Sequence, residues 1–428
     1  MSNFRVFPSL ADLDRVFELR LETDPSANPT KLYYPGRNDL CLRYKMWAGS
    51  GTQAAKTRYN VIQSDGTFKD LNEIFAPAPP KGITWVAMGT GTSNTVSAIS
   101  AYDNLNVYVG GLFTNIGGDT FKRYIAKWDG VTWQAMGTGT GEPSTFSSLA
   151  AISAVDNLNV YVGGDFRNIG GDTNKRAIVK WDGTTWHALL PSPPGGLVFA
   201  VDALDNSNVY VGGLFGLAGG ISTRRIARWD GAAWRAMGTG DTNGFDDQVL
   251  AISAVDTSNV YAGGGFKTAD GRGASFIARW DGATWRAMGD GTTNQVRAIS
   301  ALDNSNVYVG GQFTNIGGDN NKRFIAKWDG DTWQALSSGV SSTVLAIYAV
   351  DNSNVYIGGQ FANIGGDNNK RYIARWDGAT WRTLSTGISG VLNAISAVDN
   401  SNVYVGGAFT DSGGEPNADR IVKWTNDY

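Results

Sequence analysis

An all-β fold assembled from seven like units is what this sequence predicts, and three observations predict it: a repeat, its phase and its turns. The repeat runs between Asn106 and Asn402. It reads Asn-Val-Tyr-x-Gly-Gly-x-Phe, an arginine-bearing loop, Ile-(Ala/Val)-(Lys/Arg)-Trp, an Asp-Gly turn and a Thr-Trp-type exit. Its central tyrosines are Tyr108, Tyr161, Tyr210, Tyr261, Tyr308, Tyr356 and Tyr404, spaced 47 to 53 residues apart. That spacing is too long for leucine-rich or ankyrin units and fits one four-stranded blade of a β-propeller.

The phase predicts how the ring closes. One Trp series falls at 128, 181, 229, 280, 328, 376 and 424, and the second at 85, 133, 186, 234, 285, 333 and 381, one unit early. Thr84 to Met88 is therefore an orphan outer strand at the front, and the last unit ends at Trp424 without its own. Seven complete blades result if the front strand completes the last blade, a one-plus-three closure that removes the free edge of an open sheet.

Each element of the unit has a local cause. Ala98-Ile99-Ser100-Ala101 and its copies use small residues, as the crowded strand beside the axis requires. Tyr and Trp come later, where blades fan apart and more volume must be filled. Asp-Asn-(Ser/Leu)-Asn and Trp-Asp-Gly supply tight turns, because Asn, Asp and Gly tolerate positive φ. The unit reads as strand a, tight turn, strand b ending in Gly-Gly, long loop, strand c, tight turn and strand d.

The Gly-Gly after strand b, the aromatic ending strand c and the Trp five residues later together resemble the kelch type of propeller. The resemblance covers residues 82–428 and implies the fold; this superfold hosts enzymes, lectins and scaffolds alike. The Trp-Asp pair is also similar to WD40 repeats, but their Gly-His partner is missing from every unit. Copper radical oxidases with a kelch-like propeller need His and Tyr ligands and a Tyr-Cys crosslink, which one His and one Cys cannot supply.

Composition excludes further classes. With 36 Lys and Arg against 39 Asp and Glu, and no basic runs, no face for phosphate-backbone binding is expected, so nucleic acid is not a predicted partner. No apolar run approaches the roughly 20 residues that span a bilayer, so no membrane insertion is expected. The start, Met-Ser-Asn-Phe-Arg-Val-Phe-Pro, lacks the regions of a signal peptide. The lone Cys41 reads as a packed small hydrophobe.

Residues 1–76 lack the repeat and form a separate small α+β unit in this reading, joined to the propeller of residues 83–428 by the stiff Pro-rich linker 77–82. A short helix is expected from Ser9 to Leu19, which has a Ser cap and helical apolar spacing. Lys31 to Tyr34 and Leu40 to Trp47 read as strands. The stretch Tyr59 to Pro77, with Gly66, Asp70-Leu71 and Ile74-Phe75-Ala76, is similar to short segments in structural proteins of large DNA viruses and phages. That resemblance implies an adaptor that docks the propeller to other structural proteins of a particle.

Catalysis is argued against by absence. Clustered His and Cys metal sites are excluded, and no cofactor is implied. A Ser-His-Asp arrangement has only His187, whose bland reading is a surface residue of strand d. Glycosidase chemistry needs two carboxylates and survives that filter. Yet Asp103, Asp156, Asp205, Asp256, Asp303, Asp351 and Asp399 recur in every blade at turns. The Trp-Asp-Gly-x-Thr-Trp turn resembles the sialidase Asp-box, one residue too short and a folding element in any case.

Binding is the better hypothesis, and loop length says where. The b–c and d–a loops emerge on one face and the tight turns on the other; length varies almost only on the first. Two d–a loops are extended, at residues 141–148 and 241–248. They supply the candidate ligand-binding residues Glu142, Phe146, Asp241, Asn243, Phe245, Asp246 and Asp247. Phe146 and Phe245 stand either as exposed anchors or as side chains tucked back onto the blade. On the first reading, removing the side chains of Phe245 and Asp246 weakens binding without changing melting. Asp241, Asn243, Asp246 and Asp247 are also weighed as calcium ligands, although their spacing is not that of an EF-hand loop. In the b–c loops Asp119 with Arg123, Asp172 with Arg176, Asp319 with Arg323 and Asp367 with Arg371 read as ion pairs or backbone hydrogen bonds that fold the loop, or else as repeated sugar or anion pockets whose joint occupation raises avidity.

The resulting expectation is a non-enzymatic attachment protein on a virion or similar particle, its propeller facing a receptor, glycan or neighbouring subunit. The alternative is a soluble lectin-like propeller, extracellular or cytoplasmic; a glycan hydrolase using loop carboxylates comes third.

Overall fold

The computed structural model describes residues 84–425, apart from 138–145, 168, 170–171, 173, 241–242, 365–366, 368–369, 385–386, 411 and 413–418, together with four short strands nearer the start. The chain divides into two compact units, Met1–Gly82 and Ile83–Tyr428. In the first, Lys31–Leu32 pairs antiparallel with Leu42–Arg43, inside the two segments expected to be strands, and Asn60–Ile62 pairs with Phe68–Asp70. The helix expected from Ser9 to Leu19, Cys41 and the Pro-rich linker lie outside the described residues.

The second unit is a seven-bladed propeller of four-stranded antiparallel sheets. Blade 1 runs outward as Val96–Asp103, Asn106–Gly111, Ile125–Trp128 and Trp133–Ala135. The innermost strands of blades 2 to 7 are Phe146–Asp156, Leu197–Asp205, Val249–Asp256, Val296–Asp303, Val344–Asp351 and Leu392–Asp399. Each packs against the innermost strands of both neighbours, including Leu392–Asp399 against Val96–Asp103, so the ring is complete. Blade 7 takes its outer strand, Thr84–Ala87, from the front of the propeller. Trp85 lies opposite Trp424 and Thr84 opposite Thr425, the closure that the Trp phase predicts.

The recurring aspartates are turn residues. Asp103 Oδ1 accepts the Leu105 backbone N–H at 2.7 Å, and both its oxygens accept from the Asn106 side-chain amide at 2.8 Å. The same bonds recur in the other blades, as at Asp205 and Asp303. At the c–d turn Asp129 accepts from the N–H groups of Val131 and Thr132, which pulls its carboxyl down to about 2, with the Thr132 bond the largest cause. These side chains satisfy turn N–H groups that would otherwise have no partner.

Aromatic residues join one blade to the next. In six blades the two Trp rings sit 5.0 to 5.5 Å apart, tilted or edge-on. The outer Trp then donates its indole N–H to the end of the preceding blade's outer strand, from Trp133 to the Met88 carbonyl through Trp381 to the Leu336 carbonyl, at 2.8 to 3.4 Å. Blade 7 departs from this: the Trp85 and Trp424 indole nitrogens are buried without partners. The tyrosines of strand b are fully buried, and six of them reach the next blade's a–b turn, Tyr161 to Asn206 at 2.9 Å and Tyr404 to Asn104 at 2.7 Å across the ring closure, while the Tyr210 hydroxyl is buried without a partner.

Glycine is required where blades approach most closely. A Cβ on Gly212 would lie 2.5 Å from Val249 Cγ1 and 2.9 Å from Ile252 Cδ1, both on the next blade's innermost strand. Gly212→Ala should therefore lower stability by about 1–3 kcal/mol through overpacking. Urea unfolding of the full chain checks this; an unchanged midpoint would mean that the junction relaxes freely.

Candidate functional site

The long d–a loop before blade 4 folds down rather than standing out. Phe245 is 1% exposed, with ring centroids 4.1 Å from Phe266 and 4.7 Å from Trp285. Of the two sequence readings, the structure takes the tucked one. The reason is a matched exchange of volume: the equivalent bridges elsewhere pair Thr92 with Ile116 and Thr292 with Ile316, whereas here Phe245 pairs with Ala269. Asn243 is 8% exposed and donates its side-chain amide to the Ser222 carbonyl of the preceding blade at 2.8 Å.

The two exposed acids of this loop have structural counterparts in other blades. Asp246 accepts from the backbone N–H groups of Lys267 and Thr268 at 2.9 Å, as Ser93 does from Thr114 and Asn115. Asp247 accepts from the Gln248 N–H, as Asn94 does from Thr95. No group of three or more His, Cys, Asp or Glu that could hold a metal occurs among the described residues. Asp241 and Glu142 lie outside the described residues, and Phe146 is placed only by its backbone, paired opposite Phe166.

The b–c loop aspartates fold their loops through backbone hydrogen bonds, as with Asp119, Asp172 and Asp319, but their ionic partner is not the expected arginine. Asp119 binds Lys122 at 2.8 Å, Asp319 binds Lys322 at 3.1 Å and Asp367 binds Lys370 at 2.9 Å, with Asp172 and Lys175 at 3.8 Å. In each loop the partner is the Lys three residues on, not the Arg four on. The cause is local geometry. The Asp caps a single turn, accepting for instance the Phe121 N–H, which places i+3 on its own side. The chain then passes through a left-handed residue, Tyr124 at φ 63°. Arg176, Arg224, Arg323 and Arg371 are left exposed, with no carboxylate partner among the described residues. The Arg371 guanidinium lies 5.7 Å from the Tyr372 ring centroid.

On the opposite face His187 is a turn lock. Its Nε2 sits 2.6 Å from Asp182 Oδ2, a carboxylate held well below its usual range by the Thr185 backbone N–H first and His187 second. Gln134, Arg235 and Arg286 make the same reach to their turn aspartates.

The axis holds what the repeat does not explain. Ser100, Ser153, Ser253, Ser300 and Ser396 occupy one level of the innermost strands. All five accept the backbone N–H of an Ala on the next blade at 2.9 to 3.0 Å. Blade 3 replaces the serine with Asp202, whose Oδ2 takes the Ala254 N–H at 2.7 Å, and blade 6 replaces it with Tyr348. Burial pushes the Asp202 carboxyl up to about 6, against the pull of the Ala254 and Ala203 N–H groups. Burial first, and the Asp202 charge second, raise the Tyr348 phenol. Three residues toward the loop face, Arg297 is half-buried, and its Nε has no partner. No other innermost strand carries a carboxylate at the Asp202 level, so Asp202 faces no second acid across the axis at that level.

Between blades 5 and 6 an open cleft of about 400 Å³ is lined by Tyr308, Lys327, Gln334, Asn352, Ser353 and Trp376. The Tyr308 hydroxyl donates to Asn352 at 2.9 Å, and the Lys327 ammonium lies 5.7 Å from the Tyr308 ring centroid.

No family model and no curated protein matches the chain. Solved structures do. The WD40 β-propeller domain of Doa1 is 14% identical, with a TM-score of 0.51 over 80% of this chain and 97% of that one. The extracellular domain of a hybrid two-component system of B. thetaiotaomicron is 10% identical, with a TM-score of 0.50 over 90% of this chain and 46% of that one. YCF48 bound to a D1 peptide is 15% identical, with a TM-score of 0.49 over 80% and 96%. Likeness of this degree is likeness of fold, and it holds for the propeller although the WD40 sequence signature is missing.

Two outcomes follow from burial. Phe245→Ala should cost about 3–5 kcal/mol, read as a drop in melting temperature, because it empties a packed aromatic site; unchanged melting would return Phe245 to the surface. Asp202 binds its proton more tightly folded than unfolded. Its contribution is therefore complete below pH 4 and is lost as pH rises through about 6. At roughly 1.4 kcal/mol per unit, Asp202→Ser should gain up to about 3 kcal/mol over the parent at pH 8 and little at pH 4. Parallel stability–pH curves would contradict this.

Proposed function

We propose that this protein is a non-enzymatic attachment scaffold whose loop face grips an anionic partner surface. The observation that carries the reading is the row of exposed guanidinium groups at Arg176, Arg224, Arg323 and Arg371, without carboxylate partners among the described residues: the aspartates of the Arg176, Arg323 and Arg371 loops bind lysines instead, and the Arg224 loop has Ile221 in place of its aspartate. Each site alone is weak, since exposed charge pairs contribute little. Several on one rigid ring act together, and joint engagement raises affinity by orders of magnitude. Arginine suits the role, for its planar fork matches carboxylate, sulfate and phosphate groups. In this reading residues 1–76 dock the propeller to other structural proteins of a particle, a virion among them. The support is the likeness of the Tyr59–Pro77 stretch to viral structural segments.

The test is an array of sulfated, sialylated and neutral glycans probed with the full chain and with an Arg176→Ala/Arg323→Ala/Arg371→Ala variant. Retention on acidic glycans should fall with salt and drop at least tenfold in the variant, while melting stays within about 2 °C because exposed, unpaired side chains are removed. Equal retention by both proteins would end the arginine reading. Mass spectrometry of particles against soluble protein from the producing culture tests the docking part; recovery in the soluble fraction alone would end it.

A soluble lectin is the second reading, and the cleft holding Trp376, Asn352 and Lys327 favours it. Binding of neutral glycans that survives the arginine substitutions but is lost in Asn352→Ala would select it.

A further inference from the structure

The axial ring is where one residue breaks a rule that its neighbours keep. Five blades place serine at the level of Asp202, and the serine hydroxyl suffices to bind the next blade's N–H. Folding therefore does not ask for a carboxylate there. Asp202 uses Oδ2 for that structural bond, the Ala203 N–H adds a second pull on the carboxyl, and the residue keeps partial exposure, so the carboxylate is not used up by the fold. Ser100, Ser153, Asp202, Ser253, Ser300 and Tyr348 all keep partial exposure in mid-strand, deep inside the ring, while Ser396 at the same level is buried. A solvent-reachable channel therefore runs along the axis at their level.

The two ends of the channel differ. Toward the tight-turn face each innermost strand shifts register just before its final Asp, as between Ala301 and Asp303, so the residue in the shift is not paired to strand b. Six of these residues, Val155, Leu204, Val255, Leu302, Val350 and Val398, are half-buried and apolar, each packed in part against its own inter-blade core, and their equivalent positions set them at one level around the axis as a collar. Outside the collar stand the a–b turn aspartates, one per blade, an acidic rim that draws cations. Toward the loop face Arg297 opposes their entry. From collar to Asp202 is two strand residues, about 7 Å.

We propose that the channel receives a primary ammonium on an unbranched alkyl stem, the lysine side chain of a partner protein docked on the tight-turn face. The acidic rim attracts the charge. The collar covers the methylene stem, the part of lysine that prefers apolar surroundings. The Asp202 carboxylate takes the ammonium, the ring hydroxyls supply further oxygens, and Tyr348 adds an aromatic group to the cation site. A four-carbon stem spans the depth available. The site lies on the face opposite the arginines, so the scaffold holds one partner by its loops and a second by its axis.

The experiment uses the full chain in phosphate buffer at pH 7.5 and ligand-observed NMR titration with three probes: n-butylamine, Nα-acetyl-lysine N-methylamide and its neutral norleucine counterpart. The two amines should bind and the norleucine compound should not. Asp202→Ser restores the residue that five other blades use, so its fold is retained, and it should weaken amine binding at least tenfold; Asp202→Asn, nearly identical in shape, should do the same. The Arg176/Arg323/Arg371 alanine variant should bind the amines like the parent, which separates this site from the loop-face reading. Failure of both amines to bind, or equal binding by Asp202→Ser, would overturn the proposal. Binding of n-butylamine without the lysine compound would overturn the partner lysine and assign the channel to free amines.

Discussion

The pairing of Thr84–Ala87 with Ile421–Thr425 is the constraint on which the rest of this propeller depends. Six blades are covalently continuous, and each packs on the next through a buried Tyr, a Trp pair and glycines that admit neighbouring side chains. Only at the seventh does the ring rely on two segments more than 300 residues apart in sequence. Without that pairing two strand edges would be open to foreign strands. The junction on this blade's other side lacks the indole hydrogen bond that six blades make, so the closing strand is held mainly by backbone pairing and by the burial of Trp85 and Trp424.

Sevenfold repetition separates structure from function more cleanly than a single-copy fold can. An aspartate present in every blade and bonded to turn N–H groups is explained by folding, and so is His187 once Gln and Arg are seen making its contact. What repetition does not explain is concentrated in two places. One is the arginine of the b–c loops, repeated but unpaired. The other is the axial level at which serine gives way to Asp202 and Tyr348. The two lie on different parts of the ring and differ in charge, and a rigid closed ring keeps them at a fixed separation.

Much of this was legible in the sequence. Blade number, strand order and closure were readable because the Trp series and the hairpin turns are local signals repeated many times. The Asp–Lys pairing was not, since it depends on the turn that the aspartate itself caps, which brings the residue three on to its own side. The burial of Phe245 was not either, because it depends on the small volume of Ala269, which lies 24 residues on and is brought alongside only by the fold. Asp202 was visible as a departure from serine, but only the hydrogen bonds between blades show that serine is sufficient there and the carboxylate surplus.

The exchange of volume between Phe245 and Ala269 also constrains how such a chain can change. Near-identical repeats invite unequal recombination, which gains or loses a whole blade while keeping the reading of each unit intact. A crossover falling between these two positions would set a phenylalanine against an isoleucine in one product and a threonine against an alanine in the other, one overfilled and one hollow. The pair therefore behaves as a single inherited block, and it fixes where this blade can be cut from its neighbours and where it cannot.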